Sequence, residues 1–123
     1  MAREIFVFGS NLAGRHGAGA ALTAKNQHGA VYGKGFGLFG NSYAIPIKDG
    51  RGRLDLTDPK ETLTLDKIAY YVGEFITFAT NHPELVFNVT RIGCGRAGYT
   101  DAQIAPMFKG APSNCNLPEG WRL

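Results

Sequence analysis

The run Ile5-Phe6-Val7-Phe8-Gly9-Ser10-Asn11-Leu12-Ala13-Gly14-Arg15-His16-Gly17-Ala18-Gly19 passes from four β-forming apolar residues into a loop that carries four glycines. A second run, Leu85-Val86-Phe87-Asn88-Val89, leads through Thr90-Arg91-Ile92 into Gly93-Cys94-Gly95-Arg96-Ala97-Gly98. Short runs of β-branched and aromatic residues read as buried strands. Glycine admits positive φ and lets a ligand approach the main chain with no Cβ in the way. A strand–glycine loop–helix unit then aims backbone N–H groups at an anion lying over the helix start. Two such units predict a phosphate-bearing ligand held between the loops, unless the glycines serve turn geometry alone. The expected ligand contacts are Asn11, Gly14, Arg15, His16, Gly17, Ala18 and Gly19 in the first loop. In the second they are Gly93, Cys94, Gly95, Arg96, Ala97, Gly98 and Tyr99.

Neither loop fits a standard phosphate motif. No Gly-Lys-Ser/Thr closes the first, and Leu22 stands where a dinucleotide fingerprint needs a third small residue. Each side chain has two readings. Asn11 can cap a turn or offer its amide to a ribose hydroxyl. His16 is a candidate phosphate contact or general acid–base group, or an exposed loop histidine. Arg15 and Arg96, one per loop, can fork onto a diphosphate or stay solvated. Cys94 is a thiolate candidate, but without a His/Asp pattern a small packed side chain is the better reading. Lys48 can attack the anomeric carbon of an opened ribose or simply begin a charged loop. Phe36, Phe39 and Tyr99 are candidates for stacking on a base.

With 123 residues the chain is read as one domain with room for a core. Glycine makes up 17 residues, about twice the roughly 7% share of an average chain. Because these glycines cluster at the ends of apolar runs, they read as positional. The net charge of +3 suits an anionic small molecule but lacks the clustering of a nucleic-acid face. Lys48, Arg51 and Arg53 form its densest basic spot. No stretch approaches the roughly 20 apolar residues of a membrane helix, and Met1-Ala2-Arg3-Glu4 opens without a signal pattern. Two cysteines are too few for a disulfide framework, so a cytoplasmic location and no membrane partner are expected. Three scattered histidines show no metal-ligand spacing, and neither a metal nor a cofactor is expected.

Strands are expected over 4–8, 42–47 and 85–92, with Pro46 placing the middle one near an edge or ending it there. An Ala-rich helix is expected over 18–28, ending before Gly29. Leu65, Ile68, Val72, Phe75 and Ala79 recur at spacings of three and four, which predicts a helix capped by Thr64 and ending near Asn81. Thr100 and Gln103 make a capping-box pair for a short last helix that Pro106 curtails. Gly33–Gly40 reads as a lid or a subunit contact, which leaves a homo-oligomer open. Alternating strands and helices give an α/β fold with a mostly parallel sheet and helices on its faces, where ligands sit beyond the carboxyl ends of the strands.

Gly9-Ser10-Asn11-Leu12, running into the Ala-rich helix, resembles the first ligand loop of macro domains, the ADP-ribose-binding fold. Thr90-Arg91-Ile92-Gly93-Cys94-Gly95-Arg96-Ala97-Gly98-Tyr99 resembles the loop of the terminal-ADP-ribose glycohydrolase subgroup, which includes antitoxins that strip ADP-ribose from DNA. Tyr43-Ala44-Ile45-Pro46-Ile47-Lys48 resembles the strand whose lysine is the covalent nucleophile of those enzymes. The chain is also similar to small macro-related phage proteins. The resemblance implies a compact three-layer α/β/α macro-like domain that binds ADP-ribose or a cyclic, NAD-derived nucleotide. For a phage protein it implies the sequestering of a nucleotide immune signal. It equally implies, as an alternative, a glycohydrolase acting on ADP-ribosylated DNA or protein through Lys48, with His16 or a held water completing turnover. Where eukaryotic members carry an aspartate for that last step, this chain has Ala97. A third alternative is a protein-interaction module whose glycine loops are purely structural.

Overall fold

The computed structural model describes residues 3–52 and 55–122, Arg96 by its backbone only. Expectations placed on Met1-Ala2, on Arg53 and on the Arg96 side chain lie outside the described residues. In chain order the elements are β1 (Arg3–Asn11), α1 (Gly19–Gln27), β2 (Gly37–Phe39), β3 (Ser42–Lys48), α2 (Leu65–Thr80), β4 (Leu85–Val89), α3 (Asp101–Ile104) and β5 (Cys115–Asn116). Single 3-10 turns lie at Pro59–Glu61, Gly95–Ala97 and Ala105–Phe108.

The strands form one mixed sheet in the order β2-β3-β1-β4-β5. β1 is parallel to both β3 and β4, β4 is parallel to β5, and β2 is antiparallel to β3. Three central strands therefore present their carboxyl ends at one rim, where the two glycine loops leave the sheet.

Each face of the sheet carries a helical layer. On one side α2 presents Ile68, Val72, Phe75 and Ala79, the expected stripe, to Ile5, Val7, Ile45 and Phe87. Burying each large apolar side chain contributes about 1.5–3 kcal/mol, and α2 is held chiefly by this packing. Thr64 caps it by accepting from the Lys67 N–H at 3.3 Å, and Asn81 ends it. The other side is thinner. There α1 lays Ala24 on Phe8 and Ala44, with Ala21 and Phe6 at the margin, so that the helix meets the sheet through its small alanine side chains. The turn after α1 uses Gly29 at φ 79°, as its position predicts.

Three expectations need correction. β1 does not end at Phe8 but runs through Gly9-Ser10-Asn11, so these residues belong to a strand end instead of a loop. β4 stops at Val89, because the Thr90 N–H (3.0 Å) and hydroxyl (2.8 Å) both donate to the Val7 carbonyl and the chain then leaves the sheet. β3 is interior, not an edge strand. Pro46 is tolerated there because β2 pairs only with Ser42, Tyr43 and Ala44, so the ladder on that side ends before it. On the other side the β1 register slips by one residue between Ser10 and Asn11, opposite Pro46 and Lys48. The tail covers the far edge: β5 joins β4, and Trp121 is buried against Phe108.

Candidate functional site

A cleft of about 860 Å³ opens at the rim where β1, β3 and β4 end. That volume lies within the 300–1,000 Å³ usual for small-molecule sites. Both glycine loops reach it. Gly9, Ser10, Asn11, Arg15 and the segment Gly17–Ala21 form one wall, and Thr90–Cys94 with Ala97 form the facing one. Ile47, Lys48, Leu56 and Thr57 make a third side, and Tyr32 stands at the mouth.

The first wall is stiffened from behind. The Asn11 side chain spans its own loop: Oδ1 accepts from the Arg15 N–H at 2.9 Å, and Nδ2 donates to the Arg15 carbonyl at 3.0 Å. Asn11 therefore stands at the cleft with its amide engaged in turn-making. Gly14 does not line the cleft. Its φ is 71°, and a Cβ there would lie 2.3 Å from the Gly33 carbonyl carbon and the Lys34 nitrogen. This glycine is a back-to-back contact between two loops. Arg15 does reach the cleft, with Nη1 donating to the Gly50 carbonyl at 3.3 Å.

Beyond Arg15, the residues Gly17, Ala18 and Gly19 lie exposed along the cleft and lead into α1. Ala18 at the N-cap supplies no side-chain hydrogen bond, and the first turn carries no acid. The leading N–H groups of a helix have no partner within it, so α1 presents uncapped donors and the positive end of its dipole to the cleft.

His16 is not an exposed loop residue. Its imidazole is 1% exposed, packed edge-on against Phe8 and Tyr32, and Nε2 lies 3.2 Å from the Ser10 hydroxyl. Burial, and secondarily the charge of Lys25, holds its pKa below the ordinary 6.5. Its contact with the cleft runs through Ser10.

The second wall begins with Gly93 at φ 75°, packed on Ile104, and continues through Cys94. Burial and then the Asp101 carboxylate, which accepts from the Cys94 Sγ at 3.6 Å, push the thiol pKa up. Cys94 is thus a packed thiol. Gly95 and Gly98 take positive φ around the 3-10 turn and do not line the cleft; Ala97 does. Tyr99 points away, its hydroxyl donating to the Leu63 carbonyl at 2.7 Å. Phe36 packs on Tyr43 and Tyr71 in the α2 layer, and neither it nor Phe39 lines the cleft.

Sequence reasoning missed Arg91, Thr90, Ser10, Leu56, Thr57 and Tyr32. Arg91 lines the cleft while pairing with Asp101 at 2.9 Å and lying over the Trp121 ring. Its position between a strand and a Gly-Cys-Gly turn was a signal available in the sequence. The 56–57 wall had none, because only tertiary folding brings that loop to Lys48, whose ammonium donates to the Leu56 carbonyl. Among the described residues, the cations lining the cleft are Arg15, Lys48 and Arg91, and no carboxylate lines it. The arrangement can hold an anion by main-chain amides on one side and cations around it. No family model, no curated protein and no solved structure matches the chain.

Proposed function

We propose that the chain binds an ADP-ribose-type nucleotide, NAD-derived or cyclic, in the cleft between its glycine loops and holds it without cleaving it. The observation that carries this is convergence. Both loops, the uncapped start of α1 and the cations Arg15, Lys48 and Arg91 face one hollow with no carboxylate among its described lining residues. The phosphates sit at Gly17–Ala21, with Gly93, Cys94 and Ala97 closing the opposite side. Tyr32 is the aromatic among the cleft's described lining residues and the candidate for stacking on a base. Hydrogen bonds to charged groups contribute on the order of 1.5–3 kcal/mol each. Four or five, less the costs of association, support micromolar affinity.

Holding is favoured over hydrolysis because the Lys48 ammonium is engaged by the Leu56 carbonyl and Ala97 offers no acid for turnover. A binder of this kind withdraws a nucleotide signal from circulation, a role that rests on the resemblance to phage proteins. Titration calorimetry with ADP-ribose and its cyclic variants tests the proposal, followed by mass spectrometry of nucleotide released on denaturing the complex. Intact nucleotide supports sequestration. A cleaved product that disappears in Lys48→Ala supports the glycohydrolase instead, with ADP-ribosylated DNA or protein as substrate. No heat with any of these nucleotides leaves the interaction module.

A further inference from the structure

Ser10 and His16 form a buried polar pair at the rim of the cleft. Ser10 is 5% exposed yet lines the cleft, two residues beyond Phe8 on the face that α1 covers. Its hydroxyl lies 3.2 Å from His16 Nε2 and 3.3 Å from the Asn11 carbonyl. Ordinary O–H···O bonds are 2.5–3.0 Å, so the second contact is loose. That carbonyl is also served already by the Gly14 N–H at 2.9 Å.

Which way the Ser10 proton points depends on the imidazole tautomer. His16 Nδ1 is buried, and among the described residues it has no hydrogen-bond partner. Placing the ring proton on Nδ1 would strand a buried donor. Placing it on Nε2 gives the proton an acceptor, the Ser10 oxygen, and leaves only a bare lone pair on Nδ1. Unpaired buried N–H groups are rarer than unfilled acceptors. Burial favours the neutral ring, which carries one donor and one acceptor.

We infer that His16 is a positioning residue whose Nε2–H donates to Ser10, turning the Ser10 hydroxyl into a dedicated donor for a phosphate oxygen at the start of α1. The inference rests on the nucleotide reading and names a group that specifies an oxyanion over a neutral ligand. Ser10 touches the ligand; His16 acts through it. The side chain thereby joins the uncapped amides of Gly19–Ala21 on the same anion.

Two measurements test it on the 123-residue chain. In the first, the ring-nitrogen NMR shifts of His16 in the free protein are expected to show the proton on Nε2; a proton on Nδ1 overturns the inference, whatever the ligand. In the second, ADP-ribose and inorganic pyrophosphate are titrated by calorimetry into wild type, Ser10→Ala, His16→Gln and His16→Phe. Ser10→Ala is expected to weaken both by about tenfold to a hundredfold, the equivalent of one charge-assisted bond. His16→Gln, whose amide N–H can reach the same oxygen, is expected to keep affinity near wild type, while His16→Phe matches Ser10→Ala. Wild-type binding with Ser10→Ala unchanged, or with His16→Gln as weak as His16→Phe, overturns the inference and leaves the nucleotide reading intact. Absence of binding by wild type overturns the nucleotide reading itself, and the inference with it. Thermal melts of each variant separate loss of binding from loss of folding.

Discussion

Replacing Gly14 and Gly17, three residues apart in the same loop, by alanine should give opposite outcomes. At Gly14 the new methyl would lie 2.3 Å from the Gly33 carbonyl carbon and the Lys34 nitrogen, and 2.6 Å from the Gly33 Cα. These are backbone atoms tied back by the Gly33 N–H to the Gly14 carbonyl at 2.8 Å, so neither loop can yield without breaking that bond. The φ of 71° adds a left-handed cost of roughly 1–2 kcal/mol for a residue with a Cβ, and overpacking adds typically 1–3 kcal/mol. Gly14→Ala should therefore lose about 2–5 kcal/mol. A domain of this size loses roughly 3–5 °C of Tm per kcal/mol, so the melting point should fall by on the order of 10 °C or more. At Gly17 a Cβ meets nothing within 4 Å and φ lies outside the left-handed range. Gly17→Ala should leave Tm unchanged, or raise it through reduced unfolded-state entropy by about 0.4–1 kcal/mol, while narrowing the cleft and weakening nucleotide binding. Urea denaturation and calorimetric titration of both variants provide the measurement. A Gly14→Ala protein within 1 kcal/mol of wild type would refute the packed-loop account.

Ala20→Glu adds an acid to the first turn of α1, which has none; helix stability should rise by about 0.3–1 kcal/mol while binding of ADP-ribose falls, a divergence that paired melts and titrations would expose. Phe75→Ala empties a site surrounded by Tyr43, Phe87 and Phe108 and should cost about 3–5 kcal/mol in denaturant unfolding. His16 has a lower pKa folded than unfolded, so the folded chain binds its proton more weakly. Stability should then be fullest above pH 6.5 and decline as pH falls from 6.5 towards the folded value. Asp49, Asp55 and Asp101, whose pKa values are held below 3.8 by hydrogen bonds from Arg51, Thr57 and Trp121 respectively, matter only below that. Melts of wild type and His16→Gln between pH 7 and 5 should differ in slope, and parallel curves would remove His16 as the cause.

Strong periodicity made α2 legible in the sequence: Ile68, Val72, Phe75 and Ala79 set its buried face, with Leu65 half-buried beside them, and Thr64 its start. Backbone chemistry also read well, in the Gly29 terminus of α1 and the capping box of Thr100 and Gln103. Pro46 misled because its missing N–H constrains one side of one residue pair, whereas edge or interior status depends on how far a distant three-residue strand extends. In the site, the glycines marked the loops but not their division of labour. Gly17 and Gly19 line the cleft whereas Gly14 packs a loop, and only the tertiary position of Gly33 separates them. His16 and Asn11 were visible as polar residues. Their burial was not, since it depends on Tyr32 and on a strand that runs three residues past Phe8.

The Asp101 carboxylate accepts the Trp121 indole N–H at 2.8 Å and the Arg91 guanidinium on the same oxygen, Oδ1. Arg122, next in sequence, donates to the carbonyls of Ala111, Pro112 and Cys115. The carboxy-terminal segment thus works as a tie-rod that fixes the angle at which Arg91 leans over the hollow. Changes made thirty residues downstream would tilt that guanidinium without touching any atom a guest molecule meets.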